Sequence, residues 1–272
     1  MREARLRMML FRTSGPILLA LAAAACIPFA FSQRANISAD TTTIAEQYLL
    51  SAANQERAAR GLPQLHRDPQ LARAAAQHAQ SMAYHASISH QFPGEPDLSS
   101  RGAAMGVAFS LISENVAEAP SAVQIHTMWM NSPGHRANLL DPAVDVVGIS
   151  VIERNGELYA VEDFAKIVSS NSLQQQESAI SALVVKPGRI ALDTTPGDIS
   201  SARQTCALST GFAGTRKPWF VMRFTSHNLT QLPAELKTQL ASGRYHQAAV
   251  GACTVNSTSP FASYNIAVLL YP

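Results

Sequence analysis

The chain has 272 residues, of which 47% are hydrophobic and 15% are charged, with a formal net charge of +2 and 3 cysteines. This composition excludes a disordered or acidic-tail protein, and three cysteines in so long a chain exclude a small disulfide-rich scaffold. The nearly balanced charge gives no electrostatic reason to expect a nucleic-acid partner. The length predicts one or two domains, each with room for a hydrophobic core.

The N-terminal 32 residues have the pattern of a secretory signal peptide. Four arginines and one acid in residues 1–12 precede a mostly apolar run, which ends at the small-residue site Ala30-Phe31-Ser32. The run is shorter than the roughly 20 residues that a membrane span needs, so we expect no transmembrane span in the mature chain. A lipoprotein site at Cys26 is the alternative. We therefore predict a secreted, periplasmic or cell-surface protein, lipid-anchored only if Cys26 is acylated.

Removing residues 1–32 leaves 17 basic and 18 acidic residues and two cysteines. An even pair of cysteines in an exported chain predicts one disulfide bond, between Cys206 and Cys253. The charge is unevenly distributed, since residues 33–171 carry nine basic and fourteen acidic residues, and residues 172–272 carry eight and four. Two explanations stay open: the two parts dock on each other, or a basic surface meets an anionic cell-envelope polymer.

Periodicity and capping residues predict three helices in the first half. Residues 41–60 carry an apolar stripe that ends at Gly61. Asp68 and Pro69 open a second, alanine-rich helix, and Ser121 caps a third, short one.

A β-hairpin is predicted after these helices. Asn155-Gly156 stands between the β-rich residues 146–153 and 157–164, which is the strongest short signal for a hairpin. Helices followed by a terminal hairpin favour an α+β sandwich.

The pattern changes beyond residue 166. Residues 167–187 are predicted to form a linker with a connector helix at about 172–185, and residues 188–272 a small β-rich C-terminal domain of unknown type. The predicted strands cover residues 205–209, 218–225, 248–255 and 264–270, with one short helix at residues 232–240. Both mature cysteines lie in these predicted strands.

The candidate functional residues lie between the second helix and the hairpin. The sequence has no Gly-x-Ser-x-Gly elbow, no His-Glu-x-x-His helix, no glycine-rich phosphate loop and no Cys-x-x-Cys pair. His90 precedes a turn after the second helix, and His135 follows the tight turn Ser132-Pro-Gly. Glu114 lies between them among small and apolar residues, a setting typical of functional carboxylates.

Five short elements, taken together and in this order, make residues 45–166 resemble the CAP superfamily (cysteine-rich secretory, antigen-five and pathogenesis-related proteins) in its bacterial SCP-like branch. These elements are Asn54-x-x-Arg57-x-x-x-Gly61-Leu62, Ala76-x-His78-Ala79-x-x-Met82 followed by Ser89-His90, Glu114-Asn115-Val116-Ala117, Trp129-x-x-Ser-Pro-Gly-His135-Arg136-x-Asn138, and Gly148 with the strand at 159–164.

The resemblance implies an α–β–α sandwich with a cleft lined by His90, His135 and Glu114. It also implies that the two histidines bind a divalent metal, often zinc, which imidazole nitrogens suit. The sequence departs from the family twice. Animal and plant members have a second glutamate where this chain has Ser132, and the glycine before the Glu-Asn pair is Ser113.

Three functions remain open. The leading hypothesis is a secreted binding protein whose cleft takes a lipid, a sterol or an envelope polymer, with no assigned catalysis. The second is a metal-assisted extracellular hydrolase with Glu114 as the base, although no serine or cysteine carries a motif that would activate it. The third is an adhesion or structural protein that binds through its C-terminal domain.

Overall fold

The computed structural model describes residues 42–186, 190–254 and 259–272. The predicted signal peptide and Cys26 lie outside these ranges. The first half contains α1 (Ile44–Ala58), β1 (His66–Arg67), α2 (Pro69–His85), α3 (Leu98–Ala104), β2 (Phe109–Ala119), α4 (Ala122–Asn131), α5 (Pro133–Leu139), β3 (Val146–Arg154) and β4 (Glu157–Ile167). The second half contains α6 (Leu173–Val185), β5 (Ala191–Leu192), α7 (Pro196–Ala207), β6 (Phe220–Ser226), α8 (Ala234–Ala241), β7 (Gln247–Cys253) and β8 (Tyr264–Tyr271).

Local signals place the first helices and the hairpin where they are predicted. Thr43 caps α1 in a reciprocal capping box with Glu46. Asp68 caps α2, where its carboxylate accepts a backbone N–H at 2.7 Å. Asn155 and Gly156 have φ angles of 55° and 83°, which the two-residue turn of a hairpin requires.

The first sheet is the middle layer of a sandwich. Its strand order is β1-β3-β4-β2, with β1 parallel to β3 and the other neighbours antiparallel. On one face, Ala75 and Met82 of α2 share a core with Val161. On the other face, Leu49 of α1 and Trp129 of α4 belong to a second core. The α–β–α sandwich is therefore confirmed.

Helix α2 lies against β3 at backbone contact distance. A Cβ atom at Gly148 would come within 2.3 Å of the backbone carbonyl carbon of Leu71. Position 148 therefore requires glycine, because helix and strand approach too closely to leave room for a side chain.

The second sheet repeats the topology of the first. Its strand order is β5-β7-β8-β6, with β5 parallel to β7 and the other neighbours antiparallel. Each half begins with a helix, a two-residue strand and a second helix. Proline stands in the first turn of this second helix, as Pro69 in α2 and as Pro196 in α7. The C-terminal part therefore has the strand order of the sandwich, although its described residues form fewer helices.

The registers align the two sheets residue by residue. In each half, the third strand pairs with the two-residue strand. This pairing starts at Val146 of β3 in the first half and at Gln247 of β7 in the second. On this alignment, Val151 corresponds to Ala252. Each of these residues donates its backbone N–H to a glutamate of the helix that opens its half, at 3.1 and 3.0 Å.

The predicted strand at residues 205–209 is wrong. Helix α7 extends to Ala207, so Cys206 lies in its last turn while Cys253 ends β7. This segment is helical rather than extended because Ala202 and Cys206, which lie four residues apart on one helix face, pack together against the second sheet. The predicted disulfide between the two cysteines is confirmed, with Cα atoms 5.8 Å apart.

The other C-terminal elements agree with the prediction. The connector helix matches α6, the short helix matches α8, and the three remaining predicted strands match β6, β7 and β8. The C-terminal part is β-rich as predicted, and its described residues also form the helices α7 and α8. The domain boundaries stay a prediction, since residues 187–189 lie outside the described ranges. Within the described residues, no helix is long and apolar enough to cross a membrane.

Candidate functional site

A buried ion pair supports an exposed histidine at the edge of the first sheet. Nδ1 of His90 lies 2.7 Å from Oε1 of Glu114, and the guanidinium of Arg101 on α3 donates to Oε2. The side chains of Glu114 and Arg101 are 2% exposed, whereas that of His90 is 63% exposed. Because the carboxylate accepts from Nδ1–H, the outer nitrogen Nε2 is turned away from the pair.

The buried side chain of His78 contacts the loop that carries His90 and holds it in place. Its Nε2 lies 2.6 Å from the carbonyl oxygen of Ser89, and its Nδ1 lies 2.8 Å from Oε1 of Glu95. Both ring nitrogens face acceptor oxygens, so the two contacts fix the orientation of the buried ring. Arg101 adds a hydrogen bond to the carbonyl oxygen of His90 at 3.3 Å. The loop therefore has a defined conformation under the exposed ring.

His135 approaches the same region from α5. The amide of Asn115 donates to the carbonyl oxygen of His135, and the amide of Asn138 donates to that of Glu114, both at 3.1 Å. Burial lowers the pKa of His135, and the charge of nearby His90 lowers it further. We therefore expect a neutral ring at His135 at neutral pH. The structure brings together all three residues that the sequence singled out: His90, Glu114 and His135.

Two adjacent acids in β4 were missed from the sequence. Asp163 pairs with Glu114 across the strands and Glu162 pairs with Asn115, and both acids are fully buried. Their carboxyl groups face Asn115 and Glu114, and within the described residues none of the four oxygens makes a hydrogen bond of ordinary geometry. Burial raises the pKa of Glu162 to about 8, while burial and the charge of Glu114 raise that of Asp163 well above its usual range. Two consecutive acids within a predicted strand were the sequence signal that could have identified them, because a strand buried on both faces is normally apolar.

A sequence model described as CAP: Cysteine-rich secretory protein family matches residues 50–166. This segment matches the CAP family, and it is called the CAP domain below.

Relatives of known sequence or structure match the same part of the chain. The uncharacterized protein YkwD of Bacillus subtilis is 27% identical over 122 residues, which are 44% of this chain and 47% of YkwD. An extracellular protein containing an SCP domain from Bacillus anthracis is 29% identical with a TM-score of 0.42, over 45% of this chain and 40% of that one. A cysteine-rich secretory protein from Staphylococcus aureus is 24% identical with a TM-score of 0.37, over 45% and 38%. The chain thus spans less than half the length of each of these relatives.

The donor set of the CAP domain does not form a closed metal site. Within the described residues, no group of three or more histidine, cysteine, aspartate or glutamate side chains is placed to hold a metal ion. Nδ1 of His90 and the guanidinium of Arg101 engage the two oxygens of Glu114, so this carboxylate is not free to bind a cation. His90 and His135 are left as a pair, one ligand short of the three that catalytic zinc sites use. Metal binding by this pair stays a prediction.

Proposed function

We propose that the CAP domain is an extracellular binding domain whose ligand site combines the histidine pair with a groove that begins in the loop of His90, at Ile88. The observation that carries this proposal is the contrast between the exposed ring of His90 and the buried ion pair that orients it. A ring held in one orientation before binding loses little conformational freedom on binding, which favours recognition. Secretion is part of the proposal and rests on the signal-peptide pattern of residues 1–32.

A groove lined by Ile88, in the loop that carries His90, has the size of a ligand site. It has a volume of about 600 Å³, within the usual range for small-molecule pockets. Ile88, two residues before His90, and Met128 give it apolar walls, while Glu118 and Glu157 add carboxylates. These carboxylates disfavour an anionic headgroup, so among the predicted ligands the lining supports a sterol or a neutral polymer segment over an anionic lipid.

The hydrolase alternative finds less support in the same geometry. A general base must be free to accept a proton from water or substrate. Glu114 is 2% exposed and already accepts from His90 and Arg101, so it is poorly placed for that role. Binding is therefore the function that we propose.

The groove is tested with a fluorescent sterol, dehydroergosterol, titrated into residues 33–272. We expect Met128→Glu to weaken binding at least about tenfold, because it places a charge on an apolar wall. The matched control is Val123→Glu on the same helix, since Val123 is 55% exposed and does not line the groove. Equal weakening by both variants, or no sterol binding by the parent, would contradict this ligand class.

The metal prediction is tested by calorimetric titration with zinc chloride at neutral pH. From two imidazoles we expect weak binding in one-to-one stoichiometry, lost in both His90→Ala and His135→Ala and lost as acid protonates the rings. His246→Ala is the control, because His246 is exposed and lies in the second half. If all three variants bind zinc like the parent, the histidine pair is not the ligand.

A further inference from the structure

The second sheet has apolar residues where the first sheet carries two buried acids. Because β3 aligns with β7, the neighbouring strands β4 and β8 align as well. On this alignment, Glu162 and Asp163 of β4 correspond to Val268 and Leu269 of β8, which are also fully buried. The strand order therefore repeats without these acids, and a ligand site in the second half must be built from other residues.

A groove in the second half combines an apolar floor with two lysines. It lies between the C-terminal end of α6, the segment before α8 and α8 itself, outside the residues that match the CAP family. Leu183, Leu232 and Leu240 line it, and the last two are only 8% and 3% exposed because they belong to the core of this half. Lys186 and Lys237 stand in the same lining. The groove has a volume of about 400 Å³, near the lower end of the usual range for small-molecule pockets.

The two lysines give this groove a positive charge that no acid of its lining balances. Both are exposed, and within the described part of the chain neither Lys186 nor Lys237 forms a salt bridge. The described residues that line the groove include no carboxylate. Arg203 and Arg216 differ from the lysines, because each is paired with an acid of the same half. The groove therefore presents unpaired positive charge beside an apolar surface.

We propose that this groove binds a single-chain amphiphile with a carboxylate headgroup, whose chain covers the three leucines and whose headgroup faces the two lysines. Burial of an apolar chain against the leucines is favourable, and the carboxylate is attracted by the lysines. A small anion without a chain leaves the leucines in water, and a neutral chain gains nothing from the lysines. The small volume favours one chain over the two chains of a phospholipid.

This site differs from the groove of the CAP domain in position and in charge. Glu118 and Glu157 line the groove of the CAP domain, and their charges disfavour an anion there. The positive charge of the second groove agrees with the eight basic and four acidic residues of residues 172–272. The inference therefore goes beyond the function proposed for the CAP domain and does not depend on it.

The experiment is a calorimetric titration of dodecanoate, below the concentration at which it forms micelles, into residues 33–272. We expect Lys237→Glu to weaken binding at least about tenfold, because it replaces an attractive charge at the groove by a repulsive one. The matched control is Lys217→Glu, since Lys217 is also an exposed lysine of the second half and does not line the groove. Equal weakening by the two variants, or no binding of dodecanoate by the parent, would overturn the inference.

The chain and the headgroup are tested separately with two further probes. Shortening dodecanoate to octanoate should weaken binding by up to about fourfold for each methylene removed, because less apolar surface is buried. Dodecyltrimethylammonium has the same chain with a cationic headgroup, and we expect it to bind at least about tenfold more weakly than dodecanoate. If the cationic probe binds as tightly as dodecanoate, the lysines do not recognise the headgroup and the inference is wrong.

The variants of the two grooves show which of them the chain occupies. If Met128→Glu, and not Lys237→Glu, weakens dodecanoate binding, the chain lies in the groove of the CAP domain and the inference is wrong. Lys237 lies outside that groove, so Lys237→Glu should bind dehydroergosterol like the parent. Failure of the sterol titration leaves the dodecanoate result unaffected, so the two proposals fail separately.

Discussion

Replacing Arg57 by methionine is expected to destabilise the protein by about 3–5 kcal/mol, because it removes a fully buried cation that joins three segments. The guanidinium of Arg57 donates to the carbonyl oxygens of Pro63, Leu139 and Asp141 at 2.8, 3.0 and 2.9 Å. These bonds tie α1 to the segment after α5, the helix that carries His135. Urea unfolding monitored by circular dichroism measures the loss.

Arg60→Met is the matched control for this prediction. Arg60 lies on the next turn of the chain, where its exposed side chain pairs with Glu56 at 2.5 Å. An exposed ion pair contributes little to stability, so we expect a change of less than about 1 kcal/mol. If both variants lose the same stability, the buried hydrogen bonds of Arg57 do not hold these segments together.

Replacing Glu162 by glutamine is expected to change the pH dependence of stability. Glu162 stays protonated in the folded protein up to about pH 8, whereas in the unfolded chain it ionises near pH 4.5. The unfolded chain therefore binds fewer protons between these values, and the parent loses stability as the pH rises from 4.5 to 8. Relative to the parent, the variant should gain about 3 kcal/mol between pH 4.5 and pH 7.

The comparison between the two pH values isolates the ionisation of Glu162. Any fixed cost of burying an amide is the same at both and cancels. Glu153→Gln, at an exposed position of β3, is the control and should show no such gain. Glu162→Val, which introduces the residue of the second sheet at this position, should show the same relative gain. A pH profile of Glu162→Gln parallel to that of the parent would contradict the buried, protonated state.

The elements predicted from the sequence are those with local signals. The Asp68-Pro69 start and the Asn155-Gly156 turn depend on a few neighbouring residues, and both lie where predicted. Helix α7 was missed because Cys206 is helical only through its packing against the second sheet. Strand β2 was missed because the edge of the sheet leaves several of its side chains half-buried, which gives no clear alternation.

The residues of the candidate site also fall into two groups, those that short motifs predict and those that only contacts in the structure reveal. His90, Glu114 and His135 stand in short motifs, so the resemblance to the family located them, and residues 50–166 are the matched segment. Arg101 and Asp163 stand in no such motif. Their part in the site depends on contacts with Glu114 across 13 residues of chain in one case and across two strands in the other.

The opposite charge of the two halves was visible in the sequence, but their shared topology was not. Strand order follows from pairings between distant residues, and the second half keeps these pairings without the polar residues of the first. A valine at position 268 and a glutamate at position 162 give no hint of being equivalent until the registers are compared.

By itself, the sequence predicted an export signal, located the segment that matches the CAP family with its two histidines and glutamate, and identified the pair of cysteines that forms the disulfide. Motifs, composition and chain-local turns suffice for these, because each depends on residues close in sequence or on their number. The tertiary structure alone decided that Arg101 binds Glu114, that Asp163 and Glu162 are fully buried, and that the second sheet repeats the first. These depend on register and burial, which arise only when strands distant in the chain pair and helices cover them.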